Sequence, residues 1–188
     1  MIHQEAPRIH TDRLILGELK PEDARTMFFY RSSPEVGKYQ SWQPKSEQEV
    51  EAFIRKVNRT GFNVKDTWCQ LGIYLKNSLE LIGDMGVHFL PPDDKQIEIG
   101  FTISPSHQRN GYATEAVHAL LDHAFRNLGK HRVIASVDPQ NTASVRLLEK
   151  MGMRKEGLFR KSIWTGADWV DDLRYGLLAE EWTGADHA

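Results

Sequence analysis

Gln108, Arg109, Asn110, Gly111, Tyr112 and Ala113 form a short polar run between an alternating apolar stretch and a segment of helical period. The run reads as the loop of a strand–loop–helix unit spanning residues 96–128. Such a junction gathers the free backbone N–H groups of a helix start, adds the positive end of the helix dipole, and so suits a phosphate. Gly111 lets a phosphate approach the backbone, and Arg109 offers charge-assisted contacts. The same pattern also suits an ordinary strand-to-helix connection with a glycine turn, so the loop alone leaves both readings open. Neither Gly-x-x-x-x-Gly-Lys-Ser/Thr nor Gly-x-Gly-x-x-Gly occurs, which removes two common phosphate loops.

A few other residues have side chains suited to chemistry. In the strand before the loop, Ile97, Ile99, Phe101 and Ile103 share one face, and Glu98 projects from the other. Asn141 stands where a helix N-cap belongs, with Ser144 one turn on. His118 and His123, five apart, do not share a helical face, so no metal site is expected. Cys69, in an apolar strand, reads as a small core residue with no activating partner. Tyr39 and Trp42 sit in an otherwise polar loop and suit either a groove lining or a hydrophobic plug.

The elements that must position these residues follow from periodicity and end signals. Residues 13–18 read as a strand. Lys20-Pro21-Glu22-Asp23 starts a helix that ends before Pro34, with proline and acids suited to its first turn. Residues 35–44 are a loop. Ser46 and Glu49 form a capping box that opens a second helix through Val50, Phe53, Ile54 and Val57. Residues 68–75, 79–90 and 96–103, separated by short turns, predict an antiparallel meander. Ala113, Val117, Leu120, Leu121, Ala124 and Leu128 mark one face of the long helix, and Gly129 suits its end. The strand at 132–137 then completes a parallel, right-handed βαβ crossover. A short helix ending at Gly152 follows. Strands at 154–164 and 169–178 flank a turn at Thr165–Asp168, and a short helix near residues 179–182 closes the chain. The order predicts an α/β (α+β) chain with a mixed, mostly antiparallel sheet.

Composition narrows the class. The chain of 188 residues has 40% hydrophobic and 27% charged residues, as expected for one soluble domain with a sizeable core. A formal net charge of −2 gives no electrostatic reason to expect nucleic acid. One cysteine excludes an internal disulfide and fits a reducing compartment. There is neither a leader-like hydrophobic segment nor an apolar run of membrane-spanning length, so the expectation is a cytoplasmic protein with no membrane partner. The ordered core is expected over about residues 9–182 of a single domain covering 1–188, with loose ends at residues 1–8 and 183–188.

The motifs together resemble one family. Gln108-x-x-Gly111-x-Ala113 matches the Gln/Arg-x-x-Gly-x-Gly/Ala signature of the GCN5-related N-acetyltransferases (GNAT). Gly111-Tyr112-Ala113-Thr114-Glu115-Ala116 is similar to the branch that acetylates the N-termini of ribosomal proteins. So are Asp138-Pro139-x-Asn141-x-x-Ser144, Glu149-Lys150-Met151-Gly152, and the opening Thr11-Asp12-Arg13-Leu14-Ile15-Leu16. These cover most of the chain in the expected order.

The resemblance implies a GNAT fold, a sheet of about seven strands splayed in its middle and flanked by about four helices. It implies an acetyl-CoA site, with Gln108 in the signature and the backbone of Arg109, Asn110, Gly111, Tyr112, Ala113 and Thr114 around the pyrophosphate. The strand edge at Phe101, Thr102 and Ile103 would bond the pantetheine arm as an added strand does, with Asn141 near its acetyl end. Transfer to an amine needs a neutral amine, and Glu98 is the candidate base. A departing thiolate gains from a proton. The tyrosine that many relatives use for this is replaced by Leu148; the resembled branch gives the role to a serine at the position of Ser144, and thiolate release without an enzyme acid stays open. The implied function is direct acetyl transfer to a primary amine, either a protein N-terminus or a small molecule. A non-catalytic acyl-CoA sensor with the same fold remains the alternative, and the Trp164–Trp169 hairpin leaves a homodimer open.

Overall fold

The computed structural model of the chain describes residues 5–40, 42–165 and 168–184. Residues 1–4 and 185–188 of the expected loose ends lie outside the described residues. So do Ser41, in the expected 35–44 loop, and Gly166 and Ala167, in the expected final turn.

The described chain runs β1 (Ile9–His10), β2 (Leu14–Glu18), α1 (Ala24–Arg31), α2 (Pro34–Gly37), α3 (Glu47–Thr60), β3 (Thr67–Leu75), β4 (Leu81–Leu90) and β5 (Gln96–Ile103). It continues through α4 (Tyr112–Asp122), β6 (Arg132–Val137), α5 (Thr142–Lys150), β7 (Arg154–Trp164) and β8 (Trp169–Leu178). The strands form one sheet in the order β1-β2-β3-β4-β5-β6-β8-β7. Only β5 and β6 run parallel, joined by the α4 crossover; the other neighbours are antiparallel.

Most expected elements appear within a residue or two. The eighth strand is the two-residue β1, too short to leave a periodic signal. The fifth helix is α2, where Pro34 takes the first turn and the Ser33 hydroxyl accepts from the Val36 amide. The expected first helix opens as a 3-10 turn, Pro21–Asp23, before α1. In α3, Ser46 caps the Glu49 amide at 3.2 Å. Glu49 does not reach back to Ser46 to close the box; its carboxylate takes the Lys45 amide and the Trp42 indole N–H, both at 3.0 Å. The helix following the glycine loop ends in a π-turn, His123–Asn127, and Gly129 then takes a left-handed φ of 61°.

The sheet separates two cores. One face carries Leu71, Met85, Val87, Ile97 and Ile99 beneath Val117, Leu120 and Leu121 of α4 and Leu148 of α5. On the other side, Met27 and Tyr30 of α1 and Val50 and Ile54 of α3 pack with Ile15, Tyr74 and Leu81. Fully burying each such aliphatic side chain contributes about 1.5–3 kcal/mol. This packing leaves the face bearing Glu98, Gly100 and Thr102 turned toward α1 and α3, because side chains alternate along β5.

Candidate active site

The site begins where the sheet opens. β5 and β6 pair only from Gln96 with Arg132 to Ile99 with Ala135. Beyond that, among the described residues, Gly100–Ile103 keeps β4 as its only neighbouring strand, while Ser136 and Val137 pair with β8 alone. The amide of Ser104 bonds the Ile82 carbonyl on the β4 side at 2.8 Å. Alternation along the strand then turns the Thr102 amide toward β4 and the Phe101 amide and carbonyl toward the gap. The Phe101 edge is thus available for strand-like addition.

A cleft of about 630 Å³ fills this opening. Glu98, Phe101 and Thr102 line it from β5, and Asn141, Ser144 and Leu148 line it from α5 across the gap. The fold therefore gathers residues about forty positions apart in the chain. Asn141 is the N-cap of α5, its Oδ1 accepting the Ser144 amide at 3.2 Å. It has the expected capping role and also faces the cleft. Leu148 occupies the cleft wall from within the hydrophobic core.

Ile103 and residues 108–114 do not line the cleft itself; Ile103 is the last residue of β5, and residues 108–114 follow it in the chain. The Gln108 side chain is committed to the loop, donating to the Ile103 carbonyl at 3.0 Å. Asn110 donates to the carbonyls of His107 and Gln108. Arg109 and Gly111 have φ of 64° and 79°. The left-handed turn delivers the chain into α4, whose first capping bond runs from the Glu115 amide to the Gly111 carbonyl. The preceding amides have no place in the helix ladder and converge at its positive end, the geometry that suits a phosphate. A side chain at 111 would be strained at this φ, and Arg13 Nη2 would stand 3.3 Å from an added Cβ.

Glu98 is half-buried, and Arg174 Nη1 lies 3.6 Å from its Oε1. Arg174 Nε also bonds Asp172 at 2.6 Å, and Asp172 accepts from Ser136 Oγ. Cross-strand from Glu98 on β4 is His88, stacked on Trp68 of β3 with ring centres 4.7 Å apart. Cys69 is buried in the core, and desolvation pushes its thiol up to about 12.

Several groups at this site are missing from the sequence reading. Asp84 is 0% exposed and is held by the Tyr30 hydroxyl at 2.6 Å, by both Arg31 Nε and Nη2, and by Gln70 Nε2. A buried charge survives only with such partners. Burial and then Asp84 push the Tyr30 hydroxyl well above its ordinary value. For Arg31, burial alone would lower the guanidinium, and Asp84 outweighs it. Arg31 and Gln70 carry this network to the cleft wall. The available signal was a lone acid in β4, a strand apolar but for His88. Arg174 could have been suspected from the charge alternation Asp172-Leu173-Arg174 in β8.

The comparisons with known proteins agree with this architecture. Residues 13–154 match the profile described as "Acetyltransferase (GNAT) domain". The chain is 34% identical over 174 residues to the uncharacterized N-acetyltransferase YnaD of Bacillus subtilis, spanning 93% of this chain and 98% of that one. It is 24% identical to the [ribosomal protein uS5]-alanine N-acetyltransferase of Escherichia coli, over 94% of this chain and 93% of that one. A crystal structure of a GNAT-family acetyltransferase from Bacillus anthracis superposes with a TM-score of 0.83 at 31% identity, covering 93% of this chain and all of that one. An open parallel seam, a left-handed glycine turn into a helix, and a profile match over most of the chain have one common explanation: this protein belongs to the GNAT acetyltransferase family.

Proposed function

We propose that this N-acetyltransferase passes an acetyl group directly from acetyl-CoA to a primary amine, with Glu98 taking the ammonium proton. The observation that carries the reading is the convergence of Glu98, Phe101, Asn141 and Ser144 on one cleft at the break in the sheet. The residues fit the donor. The left-handed turn at Arg109 and Gly111 presents the amides of residues 111–114 to a pyrophosphate. The open edge of Phe101 meets an extended amide-bearing arm. Acetyl-CoA supplies an activated acyl thioester.

The chain's own part is positioning and proton handling. The Phe101 amide points into the gap, where it can polarise a carbonyl. Glu98 accepts the proton that leaves the amine, directly or through water, and the freed lone pair forms the C–N bond. As the C–S bond breaks, the nitrogen gives up its second proton, which passes through the Ser144 hydroxyl or water to the departing thiolate, so that Ser144 is restored and coenzyme A leaves as the thiol. Asn141 fixes the first turn of α5 and so the place of Ser144. No covalent acyl-enzyme is needed, because orientation of two bound substrates supplies much of the rate. The acceptor is an amine on a protein N-terminus or a small molecule.

The test is thiol release from acetyl-CoA across a panel of primary amines. Amine-dependent release is expected. Tight binding of acetyl-CoA without amine-dependent release would overturn catalysis and leave a sensor.

A further inference from the structure

The cleft has two chemically different halves. Its carboxylates, Glu98, Asp138, Asp171 and Asp172, all come from β5 and the C-terminal part of the chain. Glu98 and Asp172 share Arg174, and Asp138 and Asp171 accept the backbone amides of Gln140 and Lys161, so the negative charge of the cleft is confined to this half. The half contributed by residues 31–70 contains Arg31, Lys38, Tyr39, Gln40, Trp42, Phe53, Val57, Trp68 and Gln70, with no carboxylate among its described residues. A polycationic acceptor would find no countercharge there.

What it would find is aromatic surface held in place. Trp42 is pinned by its indole N–H to Glu49 at 3.0 Å and packs on Phe53 with ring centres 4.5 Å apart. Trp68 stacks on His88 at an interplanar angle of 13° and lies against the bare Cα of Gly86, where a Cβ would come within 3.1 Å of the ring. Trp68 is nonetheless 46% exposed and lines the cleft. Gly100, between Glu98 and Thr102 on the same face, has no atom within 4 Å of where its Cβ would stand. Open space therefore lies beside the candidate base, bordered by flat apolar walls. Above it, the Tyr39 hydroxyl bonds the Gln140 carbonyl at 3.3 Å and ties the two walls together. That tie, and a cleft of about 630 Å³ shared with the acyl end of the donor, suit a small acceptor over a polypeptide segment.

We infer that the acceptor is a small primary monoamine carrying an aromatic group, seated against Trp68 and Trp42 over Gly100. This rests on the reading of the chain as an amine acetyltransferase. Aromatic rings gain from offset or edge contact with fixed indoles beyond simple burial, and a rigid wall loses little freedom on binding. Gly100 is then the residue that sets the room for the aromatic group.

The experiment measures thiol release at saturating acetyl-CoA with 2-phenylethylamine, indole-3-ethylamine, n-butylamine, spermidine and an alanine-initiated heptapeptide. The arylethylamines are expected to exceed n-butylamine and spermidine in kcat/KM by about tenfold. Trp68→Ala and Gly100→Val should each reduce the aryl-to-butyl ratio by about that factor, and Trp68→Phe should restore most of it. Preference of the wild-type enzyme for spermidine or the peptide would overturn the inference and leave acetyl transfer standing. An unchanged aryl-to-butyl ratio in both Trp68→Ala and Gly100→Val would do the same. Acetyl-CoA binding with no release for any amine would overturn both. The wild-type panel decides even where a variant fails to fold.

Discussion

Arg13 Nε lies 2.6 Å from Glu115 Oε2, joining residues 102 positions apart in the chain. The same carboxylate accepts the Thr11 hydroxyl at 2.6 Å and the Arg13 amide at 2.9 Å. Arg13 also reaches the Asn110 carbonyl at 3.0 Å and lies over the Tyr112 ring. The start of the first long strand and the first turn of α4 are therefore one structure. Two stretches that resemble the family separately, Thr11–Leu16 and Gly111–Ala116, are the two halves of this contact. It fixes the loop proposed to present amides to the donor's phosphates.

Burial alone would raise the Glu115 carboxyl, but the bonds from Thr11 and Arg13 outweigh it and hold it below the ordinary range. A depressed carboxyl contributes stability above its unfolded value of about 4.3 and loses it as pH falls through the folded value. Glu115→Gln should cost about 1–3 kcal/mol at pH 7 and weaken CoA binding by roughly tenfold. Calorimetry should show the gap between wild type and variant holding steady above about pH 5 and closing as the solution is acidified further. A gap independent of pH would contradict the assignment.

Glu98→Gln should lower kcat by about 10²–10⁴-fold and flatten the rise of rate with pH, because an amide cannot take the ammonium proton. The binding of acetyl-CoA, measured by calorimetric titration, should change little. A variant with the wild-type pH profile would remove Glu98 from the proton path.

Asn141 has two roles that substitution can separate. Asn141→Ala removes a cap worth about 1 kcal/mol, and Asn141→Ser keeps a capping oxygen. The serine variant is expected to recover most of the melting temperature without recovering kcat/KM for acetyl-CoA. If both recover together, Asn141 is a cap alone.

Cys69 has its thiol pushed up to about 12 by burial, which leaves almost no thiolate at neutral pH. Cys69→Ala should keep kcat within about twofold, and native protein should resist iodoacetamide at pH 7. Loss of turnover in a folded variant would argue for an acyl-cysteine and against direct transfer.

Asp84→Asn leaves the Arg31 guanidinium in the interior without its carboxylate, and should cost about 3–5 kcal/mol. Arg31→Met combined with Asp84→Leu should recover only part of this, since both charges are removed but the Tyr30 hydroxyl and the Gln70 amide lose their acceptor; adding Tyr30→Phe should recover more. Chemical denaturation of the single and paired variants measures the difference.

Much of this fold was legible because its elements carry their own end signals. The ranges of β5, β6, β7 and β8 follow from alternation bounded by turn residues, and Gly111 and Gly129 mark the bounds of the main crossover. The meeting of Glu98 with Asn141 and Ser144 was available only through the family resemblance, since no local rule joins β5 to α5. Periodicity was silent on α2, which is four residues long and rests on Ser33 and Pro34. It was also silent on the Asp84 network, because a single acid in an apolar strand does not announce which helix supplies its arginine. Trp68 read as part of a strand; its role emerges only because Gly86, eighteen positions on, leaves space for it to lie flat.

The parallel seam between β5 and β6 is four residue pairs long, and the backbone ladder crosses from one half of the sheet to the other only there. It behaves as a zipper already open at one end. Bound donor would act as a brace across the open part, replacing absent rungs with its own amides. Hydrogen exchange in the β5–β6 seam should therefore slow on donor binding more than in the β3–β4 hairpin, which pairs from Thr67 with Phe89 to Tyr74 with Leu81 across one register shift. The break that admits the substrate would then also be where the substrate most strengthens the protein.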